Sequence, residues 1–275
     1  MSGFADEYYE CGWAQATGAI SSTESRRIEE TLIWVPEDVS TILDVGCGDG
    51  RITDRLLERH SVVGLDSSAE ALKHVQAEHV LGDVTSLPFP ERGFDLVLCC
   101  EVLEHLPLDA FERTLRELER VASRYVLITV PYRENLRRSM VKCTRCGCFF
   151  HNNRHLRSFD DKSMAGLLNG FDLIRKEAFL TRRDYPLRLL KLARRLRILS
   201  NLLPSPAVCP QCGFSPPHTG SAPSIDVSAT APRAGGIRLP WLRKAARHVL
   251  PKTARAGGWL LALYRRHDEN DLEAN

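Results

Sequence analysis

The chain has 275 residues, with 37 Lys and Arg against 35 Asp and Glu and an apolar fraction of 43%. That length permits a full-sized core, arranged as one large domain or as a domain carrying a substantial insertion. A net charge of +2 excludes a molecule that grips nucleic acid or membrane through its bulk charge; the basic residues are instead concentrated near residue 190 and from Arg233 onward.

Nine cysteines are an odd number. The start MSGFADEYYE has neither a basic nor an apolar leader segment, and no apolar run approaches the roughly 18 residues of a membrane span. The expectation is a reduced, cytoplasmic protein, in which Cys-x-x-Cys spacings point to metal or redox chemistry before structural disulfides.

In chain order, residues 1–36 hold Phe4, Tyr8, Tyr9 and Trp13, which either pack on a sheet edge or form a lid, and then a helix over STESRRIEETLIWV that closes before Pro36. From Ser40 to Val130, five short β-branched runs (TILDVG, SVVGLD, HVLGDV, FDLVLCC, RYVLITV) alternate with helical patterns (RITDRLLERH, SSAEALKHVQAE, LDAFERTLRELERVAS). The runs are apolar nearly throughout, as parallel strands covered on both faces are. The fold class that follows is α/β, a mostly parallel sheet with helices on both sides.

Downstream, DDKSMAGLLNG reads as a helix ending at Gly170, FDLIRKEAFL as a strand and GWLLALYRR as a last strand. Between them lie an insertion over 132–159 and another over 181–257. The second contains a basic amphipathic segment (182–197), whose two uses would be nucleic-acid or membrane-surface contact. A Pro/Ser/Ala/Gly-rich stretch at about 215–236 is expected to be a disordered loop.

The loop DVGCGDG follows the first strand, and its glycines 46, 48 and 50 let the backbone turn sharply and approach a ligand closely. Asp66 ends the second strand, where ribose hydroxyls would be held, and Asp83 follows the third. Carboxylates so placed accept hydrogen bonds from hydroxyls and an exocyclic amine and repel phosphates, so the ligand suggested is a nucleoside without phosphates.

ILDVGCGDG, Asp66, GDVTSLPF and FDLVLCCEVLEH, in that order and spacing, resemble the motifs of class I S-adenosylmethionine-dependent methyltransferases, closely over about residues 40–131. The resemblance implies a Rossmann-like methyltransferase fold, with a seven-stranded sheet of order 3-2-1-4-5-7-6 and an antiparallel seventh strand. It also implies a cofactor site. Asp44, Gly46, Cys47, Gly48 and Gly50 would hold the methionine end, Asp66 with Ser67 the ribose, Asp83 with Val84 the adenine, and Glu101 would lie beside the methionine group. For Asp44, bonding within its own turn is the competing role.

Methyl transfer asks for alignment and exclusion of water, and for a base only if the acceptor must lose a proton. His105, His151, His155 and Arg157 are the candidates to line the acceptor site; His105 could equally pack at a helix start, and Arg157 pair with a carboxylate. The acceptor suggested is a small molecule or a glycan- or lipid-linked metabolite. The alternatives are an RNA methyltransferase and a non-catalytic S-adenosylmethionine-binding module.

CTRCG and CPQCG share the form Cys-x-x-Cys-Gly, so Cys143, Cys146, Cys209 and Cys212 can complete a tetrahedral, structural zinc site. That arrangement competes with a Cys143/Cys146/His151/His155 site and with a redox dithiol. If the four thiolates take the metal, His151 and His155 are left for substrate.

Overall fold

A computed structural model describes residues 20–180, 182–183, 208–214 and 255–267. The N-terminal aromatics, the basic segment beyond Arg183 and the Pro/Ser/Ala/Gly-rich stretch lie outside these residues.

Helix α1 (Ser22–Ile33) begins where Ser21 turns its hydroxyl back to accept the N–H of Glu24, and it buries Ile28 and Thr31. Four parallel strands follow, β1 (Thr41–Val45), β2 (Ser61–Asp66), β3 (Glu78–Leu81) and β4 (Phe94–Cys100), then β5 (Ala122–Pro131), parallel to β4. The large sheet is completed by β8 (Phe171–Phe179) and β11 (Trp259–Arg266), in the order β3-β2-β1-β4-β5-β11-β8. Strand β11 runs antiparallel to both neighbours. Counting only the strands of this sheet, the order is 3-2-1-4-5-7-6 with the seventh reversed, the expected Rossmann-like arrangement.

The side-chain alternation of the central strands explains why they carry almost no polar residues. Leu43, Val45, Val97, Cys99, Val126 and Ile128 bury into one layer, with Leu118 and Val121 of α4 (Leu108–Val121). Ile42, Leu96, Leu98 and Leu127 bury into the other, with Ile28 and Trp34 from the α1 end. Both faces of the sheet are thus covered.

The helical expectations need correction at four places. RITDRLLERH and SSAEALKHVQAE yield only single α-turns, α2 (Thr53–Leu56) and α3 (Ala69–Leu72). EVLEHL forms a 3-10 turn at Leu103–His105, because the residue before Pro107 is driven out of the helical region, and Leu106 has φ −78°, ψ 135°. The helix expected to run to Gly170 stops after α5 (Asp161–Met164), where Ala165 is extended and Gly166 takes φ +69°.

The first insertion leaves β5 and folds into a hairpin of β6 (Met140–Lys142) and β7 (Phe149–His151). It returns at Phe159, which bridges Tyr132 beside the end of β5. The hairpin has its own small core, Cys143, Phe150 and Cys209 with Val141, Cys148, Cys212 and Phe214 packed around them. A two-residue pair, β9 (Arg182–Arg183) and β10 (Arg255–Ala256), joins the chain ends of the second insertion.

Candidate active site

The glycine loop is shaped by its own hydrogen bonds. The N–H groups of Gly46 and Cys47 both donate to the carbonyl of Leu65, at 2.7 and 3.0 Å, and Gly48 N–H donates to Asp66 Oδ2 at 2.8 Å. Ser68 N–H reaches the other oxygen of Asp66 at 2.9 Å. Asp66 therefore ties the end of β2 to the loop. Gly46 has φ +76°, and a Cβ there would stand 2.3 Å from Val102 Cγ2, so both conformation and space require glycine.

Asp44 is buried and accepts the Thr53 hydroxyl at 2.7 Å. Burial, with a smaller contribution from Asp66, pushes its carboxyl up to about 6 despite the Thr53 bond. The bond reaches past the glycine loop to the first residue of α2. Glu101, at φ +59°, receives the Trp259 indole N–H at 2.8 Å and the Thr129 hydroxyl at 3.3 Å. Burial raises its carboxyl even against these donors.

A cavity of about 1030 Å³ opens at the C-terminal edge of the sheet. At one end are Ser67, Asp83 and Val84; at the other are His105, His151 and His155, with Met140, Phe149 and Phe150 of the hairpin and Pro210 of the second knuckle. Three cofactor candidates and three acceptor candidates thus line one space. Asp44, Gly46, Cys47, Gly48, Gly50, Asp66 and Glu101 are not among its lining residues. Arg157 also stands apart, its guanidinium 3.8 Å over the Phe111 ring and donating to the Leu106 carbonyl at 2.6 Å. It anchors the loop carrying His155 to the turn after His105.

The three imidazoles form a stack. His105 meets His155 edge to face at 4.8 Å between centroids, and His155 lies over His151 at 5.0 Å. His151 Nδ1 accepts the backbone N–H groups of Asn153 and His155, which places its proton on Nε2, 3.5 Å from Glu134 Oε1. Glu134 Oε2 receives Nδ1–H of His155, leaving the His155 lone pair on Nε2. Burial and the other two rings push His105 down to about 3, so it is neutral.

Two carboxylates here escaped sequence analysis. Glu104 precedes His105 and looked like part of a helix face, yet it is fully buried. Its carboxyl is driven well above the usual range by burial, then by Glu101 and Glu134, with its own backbone N–H and, less, Arg27 opposing. Glu134 comes from PYREN, a stretch with no motif; only the return of the chain at 151–155 brings it to the histidines.

The two knuckles are copies of one geometry. Gly147 N–H donates to Cys143 O at 3.0 Å and Gly213 N–H to Cys209 O at 2.9 Å, both glycines at positive φ, and Cys143 N and Cys209 N donate to the carbonyls of Cys148 and Phe214. The four sulphurs lie within 4.8 Å of one another, with Cys143 to Cys212 at 3.7 Å and Cys146 to Cys209 at 3.5 Å. Backbone N–H groups of Cys146 and Arg145 on Sγ hold the Cys143 thiol down to about 6. A soft, four-thiolate set closed on all sides suits zinc. His151 and His155 are engaged with Glu134 instead.

Residues 42–124 match the family described as "Methyltransferase domain". The chain is 30% identical over 135 residues to ajmaline N-methyltransferase of Rauvolfia serpentina, 42% of this chain and 46% of that one. It is 31% identical over 107 residues to malonyl-[acyl-carrier protein] O-methyltransferase 1 of Coxiella burnetii, 38% and 37% of the two chains. Over 92 residues it is 36% identical to trans-aconitate 2-methyltransferase of Azoarcus sp., 30% and 36% of the two chains. The matches therefore span less than half the length of these relatives. A crystal structure of an S-adenosylmethionine-dependent methyltransferase from Archaeoglobus fulgidus superposes with a TM-score of 0.53 at 14% identity, covering 94% of this chain and all of that one, a likeness of fold. With the sheet order and the glycine loop, these matches show that the chain carries a class I S-adenosylmethionine-dependent methyltransferase domain.

Proposed function

We propose that the protein transfers the methyl group of S-adenosylmethionine to a small-molecule acceptor, or to the small headgroup of a glycan- or lipid-linked metabolite, held in the cavity. The observation that carries this reading is the single cavity running from Ser67, Asp83 and Val84 to the histidine stack. Its volume is at the upper end of the roughly 300–1,000 Å³ of ligand sites, enough for a cofactor and a compact acceptor together. The relatives above are named for small or carrier-linked acceptors, which agrees with that size.

The residues present suit the cofactor. Asp83 and Ser67 stand at the ends of β3 and β2 on the cavity wall, where adenine and ribose would be met, and Asp66, next to Ser67, is tied to the turned glycine loop. The bound cofactor supplies an activated methyl on a sulfonium. The chain's own task is to align an acceptor lone pair with that methyl and exclude water, and alignment alone can account for much of the rate. The apolar hairpin residues Phe149, Phe150 and Met140 give the acceptor end its walls.

Zinc held by Cys143, Cys146, Cys209 and Cys212 would fix that wall. The hairpin core is too small to be rigid unaided, and a structural metal is the usual staple for such a lobe. Pro210, inside the second knuckle, reaches the cavity, so the metal site and the acceptor site share residues of one loop. The test is transfer of labelled methyl to a fractionated small-molecule extract by the zinc-loaded protein. Label in a low-mass fraction supports the reading; label only in RNA would replace it.

A further inference from the structure

Glu104 is a fully buried carboxyl group whose two oxygens have no hydrogen-bond partner among the described residues other than the residue's own backbone N–H. A carboxyl buried in this way is relieved either by holding a proton or by a bound cation that takes the proton's place. Among the described residues no lysine or arginine head stands at ion-pair distance from it. His105 Nε2 is 3.9 Å from Oε1. One ligating atom from each of Glu104, His105 and His155 lies within 4.8 Å of the others.

The surroundings are arranged for a cation. His155 gives Nδ1–H to Glu134, which leaves Nε2 as the donor atom, and a carboxylate behind a histidine in this way is the usual outer support of a metal ligand. His151, its Nδ1 occupied by two backbone N–H groups, turns Nε2 toward the other oxygen of Glu134 at 3.5 Å. Both His105 and His155 line the cavity, whereas Glu104 is buried behind them.

We propose that Glu104, His105 and His155 form a divalent-cation site at the acceptor end of the cavity, distinct from the four-thiolate site, with open positions toward the acceptor. One carboxylate oxygen and two imidazole nitrogens, a mixed oxygen and nitrogen set, suit a divalent transition-metal ion such as Mn²⁺, Fe²⁺, Co²⁺ or Zn²⁺ better than Ca²⁺. The ligand class that completes the site is an oxygen donor, and a vicinal pair of hydroxyl or carbonyl oxygens fits best because it fills two open positions at once.

The consequence for chemistry depends on the methyl transfer proposed above; the cation site does not. A hydroxyl bound to the cation becomes more acidic and releases its proton to water. Its oxygen then forms the new bond to the methyl carbon as the sulphur–methyl bond breaks and the electron pair stays on sulphur, giving a methyl ether, S-adenosylhomocysteine and one proton.

The probe is Mn²⁺ alone, added to the full chain loaded with a single equivalent of zinc, so that the thiolates are filled and the second site is left open. Electron paramagnetic resonance of free Mn²⁺ is expected to show one saturable site per chain, with affinity reduced at least tenfold in Glu104→Gln and in His105→Asn, and ten- to a hundredfold in Glu134→Gln. In the unmutated protein, Mn²⁺ should broaden the imidazole proton resonances of His105 and His155 before those of His60, His74 and His79, a readout that needs no variant to fold. Absence of a saturable site, unchanged affinity in a folded Glu104→Gln, or broadening elsewhere first would overturn the site. Binding as described together with methyl transfer indifferent to Mn²⁺ would overturn its role toward the acceptor and leave the site standing.

Discussion

The carboxylate of Asp66 and the backbone N–H of Gly48 are joined at 2.8 Å, so the residue that the family resemblance assigns to ribose also holds the shape of the glycine loop. Asp66→Ala removes both the ribose acceptor and this clamp. S-adenosylhomocysteine should bind more weakly by roughly tenfold or more, the loss of one or two charged hydrogen bonds. Calorimetric titration measures it, with circular dichroism to show that the sheet survives. Unchanged affinity would remove Asp66 from the cofactor site.

Gly46→Ala tests the loop from the other side. The added methyl meets Val102 at 2.3 Å and is asked to sit at φ +76°, so we expect a loss on the order of 2 kcal/mol or more in thermal or denaturant unfolding. Gly166→Ala, also at positive φ but in open space, should cost less.

Asp44 gives a dependence on pH whose sign is fixed. Its carboxyl titrates near 6 when folded and near 3.8 when unfolded, so between those values the folded state holds more protons. Stability contributed by the protonated group is present below about pH 3.8 and lost as pH rises through 6, leaving a cost on the order of 3 kcal/mol at neutral pH. Asp44→Asn keeps an acceptor for the Thr53 hydroxyl and removes the charge. The variant should melt higher than the parent at pH 7 and show a smaller difference at pH 4; an equal or lower melting temperature at pH 7 would contradict the assignment.

For the knuckles, elemental analysis of the thiolate site is expected to find one zinc per chain, lost in Cys209→Ser. A chelator should lower the melting temperature of the parent and leave that variant unmoved. Full zinc retention after Cys209→Ser would dissolve the pairing of the two Cys-x-x-Cys-Gly turns.

The fold was legible in the sequence where the signal is local and repeated. The unbroken apolar character of TILDV and FDLVLCC follows from layers on both faces, and the structure shows those two layers as separate sets of alternating side chains. Helix lengths were less legible, because periodic apolar residues also occur in single turns packed on a sheet; RITDRLLERH has the pattern of a helix but supplies only Thr53–Leu56. In the site, the paired knuckles could be anticipated because their shared form implies a shared ligand. Glu104 and Glu134 could not, since one looks like an ordinary helix-face residue and the other meets His155 only through the return of a hairpin. Arg157, singled out beside His155, instead stacks on Phe111 and ties down the loop.

The central claim, methyl transfer within this cavity, is tested most directly by incubating the zinc-loaded protein with methyl-labelled S-adenosylmethionine and a deproteinised small-molecule extract supplemented with Mn²⁺. The account predicts label in at least one low-mass fraction, reduced by Asp66→Ala. No label in any small-molecule fraction, with S-adenosylhomocysteine still bound by the same preparation, would contradict it and leave a domain that binds the cofactor without using it on such acceptors.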